Sequence, residues 1–258
     1  MKIAIIGTGV SGLTAGYLLS QQHDLVVYES ADRLGGHTAT MDVEYAGKQY
    51  AIDTGFIVFN DWTYPNFQKL LAQLQVDYQP TEMGFSVSCD ITGLEYSGNN
   101  LDTLFAQRRN IFSVQHWRMI KDILRFNKEA IVDVDSGGRF ATMTLGKYLH
   151  YKRYSTVFIE KYLIPMGAAI WSASTSVMQQ FPLQFFVNFF KNHGLLSVND
   201  RPQWHVIRGG SSTYISPLTA SYKDSIRLNT SVASIRRVYQ GDEKKVIVTT
   251  DDGDSEVF

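Results

Sequence analysis

The start of the chain alternates between short apolar runs and a turn rich in glycine. Lys2–Ile6 is apolar and ends at Gly7, which is typical of a buried parallel strand. The pattern predicts a helix over residues 11–22 and a second apolar strand over residues 25–28. A strand, a turn, a helix and a strand within about thirty residues have the size of a βαβ unit, whose right-handed crossover places its strands in parallel.

The middle of the chain combines hairpins with helices. Strand pairs are predicted for residues 41–45 with 48–52 and for residues 83–89 with 94–96. Between them, a helix that begins near Pro65 and buries one face is indicated by the spacing of Phe67, Leu70, Leu71 and Leu74. Residues 101–193 are predicted to be mainly helical and are rich in aromatic side chains.

The pattern changes again after residue 203. Residues 205–207 form a predicted strand before Gly209-Gly210, and residues 212–222 a helical segment. Apolar and polar side chains alternate, as in antiparallel strands, over residues 226–228, 232–238 and 245–250. We therefore expect an α/β protein with two interleaved domains: a Rossmann-like, three-layer nucleotide-binding domain with a parallel sheet, made of residues 1–75 and 204–258, and an inserted domain of mixed sheet and helices at residues 76–203.

Composition narrows the classes of protein that the chain can belong to. With 24 Lys and Arg against 25 Asp and Glu, a net charge of -1 gives no global field for nucleic acid. The one cysteine, Cys89, excludes an internal disulfide, suits a reducing cytoplasm and is expected to be a small buried residue. We expect neither a signal peptide nor a membrane span. No metal site is expected, because the histidines lack ligand spacing: His23, His37, His116, His150, His193 and His205.

The strongest chemical motif is the turn between the first strand and the first helix, which we call the glycine turn: Gly7-Thr8-Gly9-Val10-Ser11-Gly12. In such a turn Gly7 permits the bend, Gly9 allows close approach of a diphosphate, and Gly12 lets the helix pack on the strand. The amides of the helix start, including those of Val10 and Ser11, then bind the diphosphate. Glu29 ends the second strand, where a carboxylate accepts hydrogen bonds from ribose hydroxyls. NAD and FAD share the moiety that this motif binds, so both remain open.

The next segment resembles one protein group. This segment contains Glu29, Arg33, Gly35 and Gly36, followed by His37. It is similar to the E-x-x-x-R-x-G-G segment of the group that comprises flavin amine oxidases, protoporphyrinogen oxidases and phytoene desaturases. The resemblance implies FAD, with Arg33 near the diphosphate and the glycine pair close to the cofactor. Many relatives carry arginine where this chain has Ala31 and His37, which implies weaker or different neutralisation of the phosphates.

Three later stretches fit the same resemblance. Residues 53–57 resemble the segment that returns to the flavin ring, which makes Gly55 and Phe56 candidate flavin neighbours. Residues 204–210 resemble the strand and glycine pair that lead back to the cofactor domain. Val232 matches the valine whose backbone meets the adenine. Members of the group normally continue past this length and end in a further flavin-binding segment, so the end at Phe258 predicts a C-terminally truncated or degenerate member.

The activity implied by the resemblance is that of an FAD-dependent oxidoreductase of the amine oxidase or desaturase type. It would transfer a hydride from a hydrophobic amine, acyl lipid or isoprenoid to flavin N5, which requires no dedicated acid or base, and no catalytic residue is assigned. An NAD-dependent dehydrogenase and a non-catalytic dinucleotide-binding remnant are the alternatives. His205 is either a residue of the site or an ordinary structural histidine.

Two helical faces could serve partners. The aromatic face of Phe181, Phe185, Phe186, Phe189 and Phe190 either lines a tunnel for an apolar substrate or packs in the core. Arg118, Lys121, Arg125 and Lys128 share one helical face, opposite Trp117, Ile120, Leu124 and Ile131. That face is either a peripheral membrane contact or simply solvated. The oligomeric state has no signal in the sequence.

Overall fold

A computed structural model describes residues 1–197, 201–240 and 243–258 of the chain. The chain forms two compact units. The first unit consists of Met1–Phe59, Tyr64–Thr81 and Trp204–Phe258. The second consists of Asn60–Thr63 and Glu82–Gln203. The first unit is thus assembled from separate stretches of sequence, and most of the second unit is one long insertion.

A parallel sheet at the start of the first unit confirms the predicted α/β fold class. The first strand, Lys2–Ile6, pairs in parallel with the second strand, Asp24–Tyr28, and the first helix, Val10–Leu19, connects them. The second strand is buried, and Val27 and the helix residue Leu13 are fully covered. The first strand is less buried than its apolar sequence predicts, because Ile5 is its one buried residue and Ile6 is 48% exposed. Tyr222 packs against Gly16 of this helix, where a Cβ atom would lie 2.6 Å from the tyrosine ring.

One strand assignment is wrong. Residues 226–228 were expected to be antiparallel, but Ile226–Arg227 pairs in parallel with the second strand and completes a sheet in which that strand is central. Val232–Gln240, Glu243–Thr250 and Ser255–Val257 do form an antiparallel sheet, as expected for the first two of them. Alternation alone could not separate the two cases, because a two-residue strand is too short to show its period.

The remaining elements of the first unit are a hairpin, a helix and a small sheet. Thr40–Tyr45 and Lys48–Asp53 confirm the first predicted hairpin, and the helix Pro65–Gln73 confirms the predicted helix after it. Tyr78–Thr81 pairs antiparallel with Trp204–Ile207, beside the short strand Phe59–Asn60. After Gly209-Gly210 come a 3-10 turn, Ser211–Tyr214, the helix Ile215–Thr219 and a second 3-10 turn, Lys223–Ser225.

A carboxylate near the end of the chain ties the parallel sheet to the antiparallel sheet of residues 232–257. Glu256 accepts hydrogen bonds from Lys2 Nζ at 2.7 Å, Tyr28 Oη at 2.6 Å and Arg227 Nη1 at 2.9 Å. These donors, Lys2 and Tyr28 foremost, lower the pKa of Glu256 to about 2 from an ordinary value of 4.5. Burial, together with the bond to Glu256, raises the pKa of Tyr28 to about 12.

We therefore expect acid to remove the stabilisation that Glu256 provides. Because its pKa is lower in the folded state, the stabilisation is complete above the ordinary value and is lost as the pH falls through about 2. Glu256→Gln should lower the free energy of unfolding at neutral pH by about 1 kcal/mol, allowing for partial exposure of the partners. Urea unfolding over a pH series tests this, with exposed Glu82→Gln as control. A difference between wild type and variant that does not depend on pH would contradict the assignment.

The second unit is a helical domain with one hairpin, Ser86–Cys89 with Leu94–Ser97, which confirms the prediction. Its longest element, the long helix, is Val114–Asp135, which begins at a Ser113 side chain that accepts from the amide of His116 at 3.3 Å. The other helical elements are Leu101–Leu104, Arg108–Phe112, Gly138–Phe140, Leu145–Tyr151, Thr156–Phe158, Ile159–Leu163, Ile164–Trp171, Thr175–Gln180 and Leu183–Asn192.

The aromatic face of the last helix packs into the core of this unit. Phe186 and Phe190 are fully buried and stack on each other with ring centroids 4.1 Å apart. Trp171 covers them, and Phe186 also contacts Phe126 of the long helix. Phe181 and Phe189 are partly buried, whereas Phe185 is exposed. The burial of Phe186 and Phe190 supports the core-packing interpretation of this face.

The orientation of the long helix differs from the prediction. Its buried side is lined by His116, Met119, Asp122, Phe126, Ala130 and Val134. Trp117 and Leu124, expected on the buried side, are half exposed and lie on the same side as the cations. Arg125 is not a free surface cation, because it pairs with Asp122 at 3.4 Å and Glu129 at 3.1 Å and donates to Lys152 O at 2.5 Å. The spacing showed that the helix has two faces without showing which face is covered.

The expectation of a buried Cys89 is wrong as well. The residue is partly exposed, and Lys161 Nζ lies 3.3 Å from its Sγ. Hydrogen bonds, first from Thr92 and then from Lys161, lower the pKa of this thiol to about 7. The strand pattern placed Cys89 at a hairpin end, where a side chain is half solvated.

Candidate cofactor site

The glycine turn joins the first strand to the first helix at the carboxyl edge of the parallel sheet. Gly7 has a φ of +89°, which a residue with a side chain rarely adopts, and its amide donates to Tyr28 O at 2.7 Å. Gly9 caps the helix with a φ of -63° and a ψ of 171°, and no side chain caps this end. The amides of the first helical turn are therefore available to an anion, and the helix dipole favours one there.

The glycines of this turn differ in what lies beside them. A Cβ atom on Gly7 or Gly9 would have nothing within 4 Å among the described residues, so the space above both is open. A Cβ atom on Gly12 would overlap the carbonyl oxygen of Gly7. The same motif is thus open on one side, where a ligand can approach the backbone, and closed on the other, where the helix packs on the strand.

Glu29 lies beside the glycine turn and is held by it. Its Oε2 accepts from the amide of Thr8 at 2.8 Å and from the Thr8 hydroxyl, and its Oε1 accepts from the amide of Ala31 at 2.9 Å. Burial opposes ionisation, but these hydrogen bonds outweigh it and keep the pKa of Glu29 below its ordinary value. Glu29 is therefore an ionised, acceptor-only group with a fixed orientation. Thr8, which the motif left unassigned, supplies part of that orientation.

The loop after Glu29 folds back onto the glycine turn. Gly35 donates to Thr8 O at 3.0 Å, and a Cβ atom on Gly36 would lie 3.2 Å from Gly9 Cα. Arg33 donates to Gly36 O at 2.9 Å and to Thr38 O at 3.2 Å. Its guanidinium therefore shapes the loop that borders the turn, and its predicted place near a diphosphate remains a prediction.

The segment around Gly55 joins the same neighbourhood. Phe56 donates its amide to His37 O at 2.9 Å, and a Cβ atom on Gly55 would overlap the same oxygen. The Phe56 ring packs edge-on against Phe67 with centroids 5.4 Å apart. Backbone contacts thus link Gly55 and Phe56 through His37 to the glycine pair.

A polar cluster behind this loop was missed at the level of sequence. Asp53 accepts from the amide of Ser211 at 2.8 Å and from Thr40 Oγ1 at 2.6 Å, and Thr40 Oγ1 in turn accepts from the amide of Ser212 at 2.9 Å. A Cβ atom on Gly210 would overlap Thr40. The carboxylate thus caps the turn that follows the glycine pair Gly209-Gly210. Asp53 and Ser211 are 158 residues apart in sequence, so no local pattern reveals this contact.

Val232 lies on the other side of Glu29. The amide of Thr230, two residues earlier, donates to Glu29 O at 2.8 Å, and Asn229 donates to Ala31 O at 3.0 Å. Val232 itself packs beside Val26 and Tyr28. The segment predicted to meet adenine therefore runs alongside the residue predicted to bind ribose.

His205 sits among aromatic rings. It stacks on Phe59 with centroids 5.6 Å apart and meets Tyr78 edge-on at 5.0 Å. Its Nδ1 is buried without a hydrogen-bond partner in the described part of the chain. These contacts fit a histidine that packs in the small sheet, and no other role is assigned to it.

Comparison with known proteins decides the family. The model of the family described as flavin containing amine oxidoreductase matches residues 10–258. The chain belongs to this family. Among curated proteins, an uncharacterized protein of Methanocaldococcus jannaschii is 46% identical over 44 residues, which are 17% of this chain and 11% of that protein.

Solved structures support the same fold. Cyclohexylamine oxidase from Brevibacterium oxydans IH-35A is 20% identical with a TM-score of 0.72 over 99% of this chain and 56% of its own. Putrescine oxidase bound to putrescine is 17% identical with a TM-score of 0.63, over 99% and 56%. An oxidoreductase from Methanosarcina mazei is 15% identical with a TM-score of 0.59, over 100% and 57%. The chain thus spans little more than half the length of the structures it matches.

Family membership makes the chain a flavoprotein with FAD as its cofactor. The residues present fit the ADP half of that molecule. Uncapped amides suit a diphosphate, the open space at Gly7 and Gly9 admits it, and ionised Glu29 suits hydroxyl donors.

Two further findings concern metal binding and membrane crossing, within the described residues. No group of His, Cys, Asp or Glu side chains there is arranged to hold a metal ion. Among the same residues, no helix is both long and apolar enough to cross a bilayer.

Proposed function

We propose that the first unit binds the ADP half of FAD at the glycine turn. The amides of Gly9, Val10 and Ser11 bind the diphosphate, and Glu29 accepts hydrogen bonds from the ribose. Arg33 holds the glycine-pair loop against the turn. The backbone at Val232 meets the adenine, and Gly55 with Phe56 lies towards the flavin ring. The observation that carries this proposal is the open side of the turn, where neither Gly7 nor Gly9 has a neighbour within 4 Å of a Cβ position.

The whole protein is, in this proposal, an FAD-dependent oxidoreductase of the amine oxidase or desaturase type. Bound FAD supplies the hydride acceptor at N5. The chain's own residues orient the cofactor and fix its phosphate and ribose, and none of them needs to donate or accept a proton at the reacting carbon. The separate parts of the cofactor site stay aligned through Asp53, which holds Thr40 and Ser211 together.

An amine is the substrate class that the family description supports first, and we propose a hydrophobic amine. Cyclohexylamine oxidase is similar to this chain with a TM-score of 0.72, and its name indicates that its substrate is an amine with an apolar ring. Acyl lipids and isoprenoids remain the other members of the proposed substrate class. The aromatic face of the second unit adds no support for a substrate tunnel, because Phe186 and Phe190 are used in the core.

Anaerobic reduction of the FAD-loaded whole protein tests the activity. We expect cyclohexylamine to bleach the visible flavin absorption faster than putrescine, because an apolar ring gains more from a dry site than a dication does. Dithionite serves as control for a reducible flavin. If dithionite bleaches the flavin but no amine, acyl chain or isoprenoid does, the result contradicts the proposed reaction. It does not contradict the proposed cofactor site.

A further inference from the structure

An apolar ridge projects from the second unit at the start of the long helix. It consists of Ile111, Phe112, Val114 and Trp117, which are 44%, 89%, 79% and 50% exposed. We call these residues the docking ridge. Apolar side chains with this exposure, grouped within residues 111–117, are unusual on a surface that faces water and mark a site of interaction.

The ridge is held rigidly by the residues behind it. Trp117 Nε1 donates to Ile111 O at 2.8 Å and so ties the helix to the preceding 3-10 turn. Buried Phe105 packs against the Trp117 ring with centroids 5.0 Å apart. Ser113 caps the helix between the two apolar pairs. These contacts hold the backbone of the ridge in place, and a surface that is already ordered pays a lower entropic cost when it binds a partner.

Positive charge accompanies the ridge. Val114, Trp117, Arg118 and Lys121 follow the i, i+3, i+4, i+7 spacing and share one helical face. Within the described residues, neither Arg118 nor Lys121 has an acidic partner.

The nearby acids do not neutralise this charge. Asp102 pairs with Arg108 at 2.6 Å, and Asp122 pairs with Arg125 at 3.4 Å. Glu160 is a further acid close to this face, which therefore carries a net positive charge, although the whole chain has a net charge of -1.

A cleft lined by both polar and apolar side chains opens beside the same face. It has a volume of about 590 Å³, and Arg109, Arg118 and Lys161 line it with Glu160 as the one acid in its lining. Ser155, also in the lining, has a buried Oγ without a hydrogen-bond partner in the described part of the chain. A cleft with three cations and a spare hydroxyl suits a phosphate group.

We propose that this face docks on an anionic phospholipid bilayer. The docking ridge enters the interface between head groups and acyl chains, and Arg118 and Lys121 contact lipid phosphates. The cleft takes the phosphate of one head group. Apolar side chains bordered by cations are what an anionic bilayer complements. The face expected from the sequence also included Arg125, which is paired with Asp122 and Glu129. The proposal is independent of the cofactor and of the substrate.

Co-sedimentation of the whole chain with vesicles tests the proposal. The probes are vesicles of phosphatidylcholine alone and of phosphatidylcholine with an equal part of phosphatidylglycerol. We expect binding to the anionic vesicles that is at least about tenfold stronger than to the neutral ones and that weakens as salt is raised. Equal binding to both vesicles, or none to either by the folded chain, would overturn the proposal.

Variants distinguish binding through the docking ridge from non-specific adsorption to vesicles. Phe112→Ser with Val114→Ser should weaken binding to anionic vesicles at least about tenfold, because burial of two apolar side chains is lost. Val132→Ser is the matched control, since Val132 is 64% exposed on the same helix. It lies about 27 Å from Val114 by helical rise. Arg118→Gln with Lys121→Gln, which keeps the ridge intact, should remove the preference for anionic lipid.

Three outcomes count against the membrane proposal. The first is ridge variants that bind vesicles like the wild type, and the second is a control that loses as much binding as they do. The third is a dimer in solution that dissociates on ridge substitution while vesicles bind nothing, because it would assign the face to a second copy of the chain. Circular dichroism of each variant shows that a loss does not come from unfolding.

Discussion

Gly12→Ala is expected to lower the free energy of unfolding by about 3 kcal/mol or more, because the new methyl group would overlap the backbone of the first turn, which is fixed in place. The Cβ atom would meet the carbonyl oxygen of Gly7 and lie 3.1 Å from its carbonyl carbon. Gly7 is itself fixed by its hydrogen bond to Tyr28. The helix could accept the methyl group only by moving off the first strand.

Urea unfolding of the two proteins measures this loss. Gly98→Ala is the matched control, because a Cβ atom there would lie 3.7 Å from Phe85 O, which is an ordinary contact. A Gly12→Ala protein as stable as the control would mean that the first helix does not pack on the strand as described.

Gly9→Ala is expected to leave the fold intact and to impair cofactor binding. Gly9 has backbone angles that any residue adopts, and a Cβ atom there would have no neighbour within 4 Å. Stability should therefore stay within about 1 kcal/mol of the wild type, and the loss within that range comes from alanine being a poorer N-cap than glycine. Affinity for FAD should fall at least about tenfold, because the methyl group occupies the space through which the diphosphate approaches the backbone.

Equilibrium titration of the whole protein with FAD measures that loss, and Gly98→Ala again serves as control. An unchanged FAD affinity in Gly9→Ala would place the diphosphate elsewhere. Together the two substitutions separate the roles of neighbouring glycines: one glycine allows packing, and the other leaves room for a ligand.

The local features of the fold were predictable because their causes are local. The glycine turn follows from glycine and helix-start chemistry within a few residues, and the first hairpin from two alternating runs around Ala46-Gly47. The helix after Pro65 follows from spacing alone. In each case the residues that determine the structure are adjacent in sequence.

Long-range contacts were not predictable in the same way. Asp53 reaches Ser211 across 158 residues, and Tyr222 donates to Leu13 O across 209. The parallel pairing of Ile226–Arg227 depends on which strand lies beside it, which its own two side chains do not specify. The outward side of the long helix depends likewise on the surrounding helices and on the ion pairs of Arg125. Periodicity identifies the faces of an element, and only tertiary packing assigns their partners.

The candidate site divides along the same line. Thr8 lies within the motif, but its bonds to Glu29 become visible only when the second strand is placed beside the turn. Arg33 is predicted to act on a phosphate, which stays a prediction, and its bonds to Gly36 O and Thr38 O, which shape the loop, could not be read from the sequence. The residue types of the cofactor site are thus readable from sequence, while the way in which they support each other is not.

Hydrogen–deuterium exchange of the whole protein, with and without FAD, tests the central claim most directly. If the glycine turn holds the diphosphate, FAD should slow exchange at the amides of residues 9–12 and of the loop at residues 33–37. The hairpin Ser86–Cys89 with Leu94–Ser97 should exchange as before and serves as the internal control. Bound FAD that protects other segments while residues 9–12 exchange at the rate of the free protein would contradict the account.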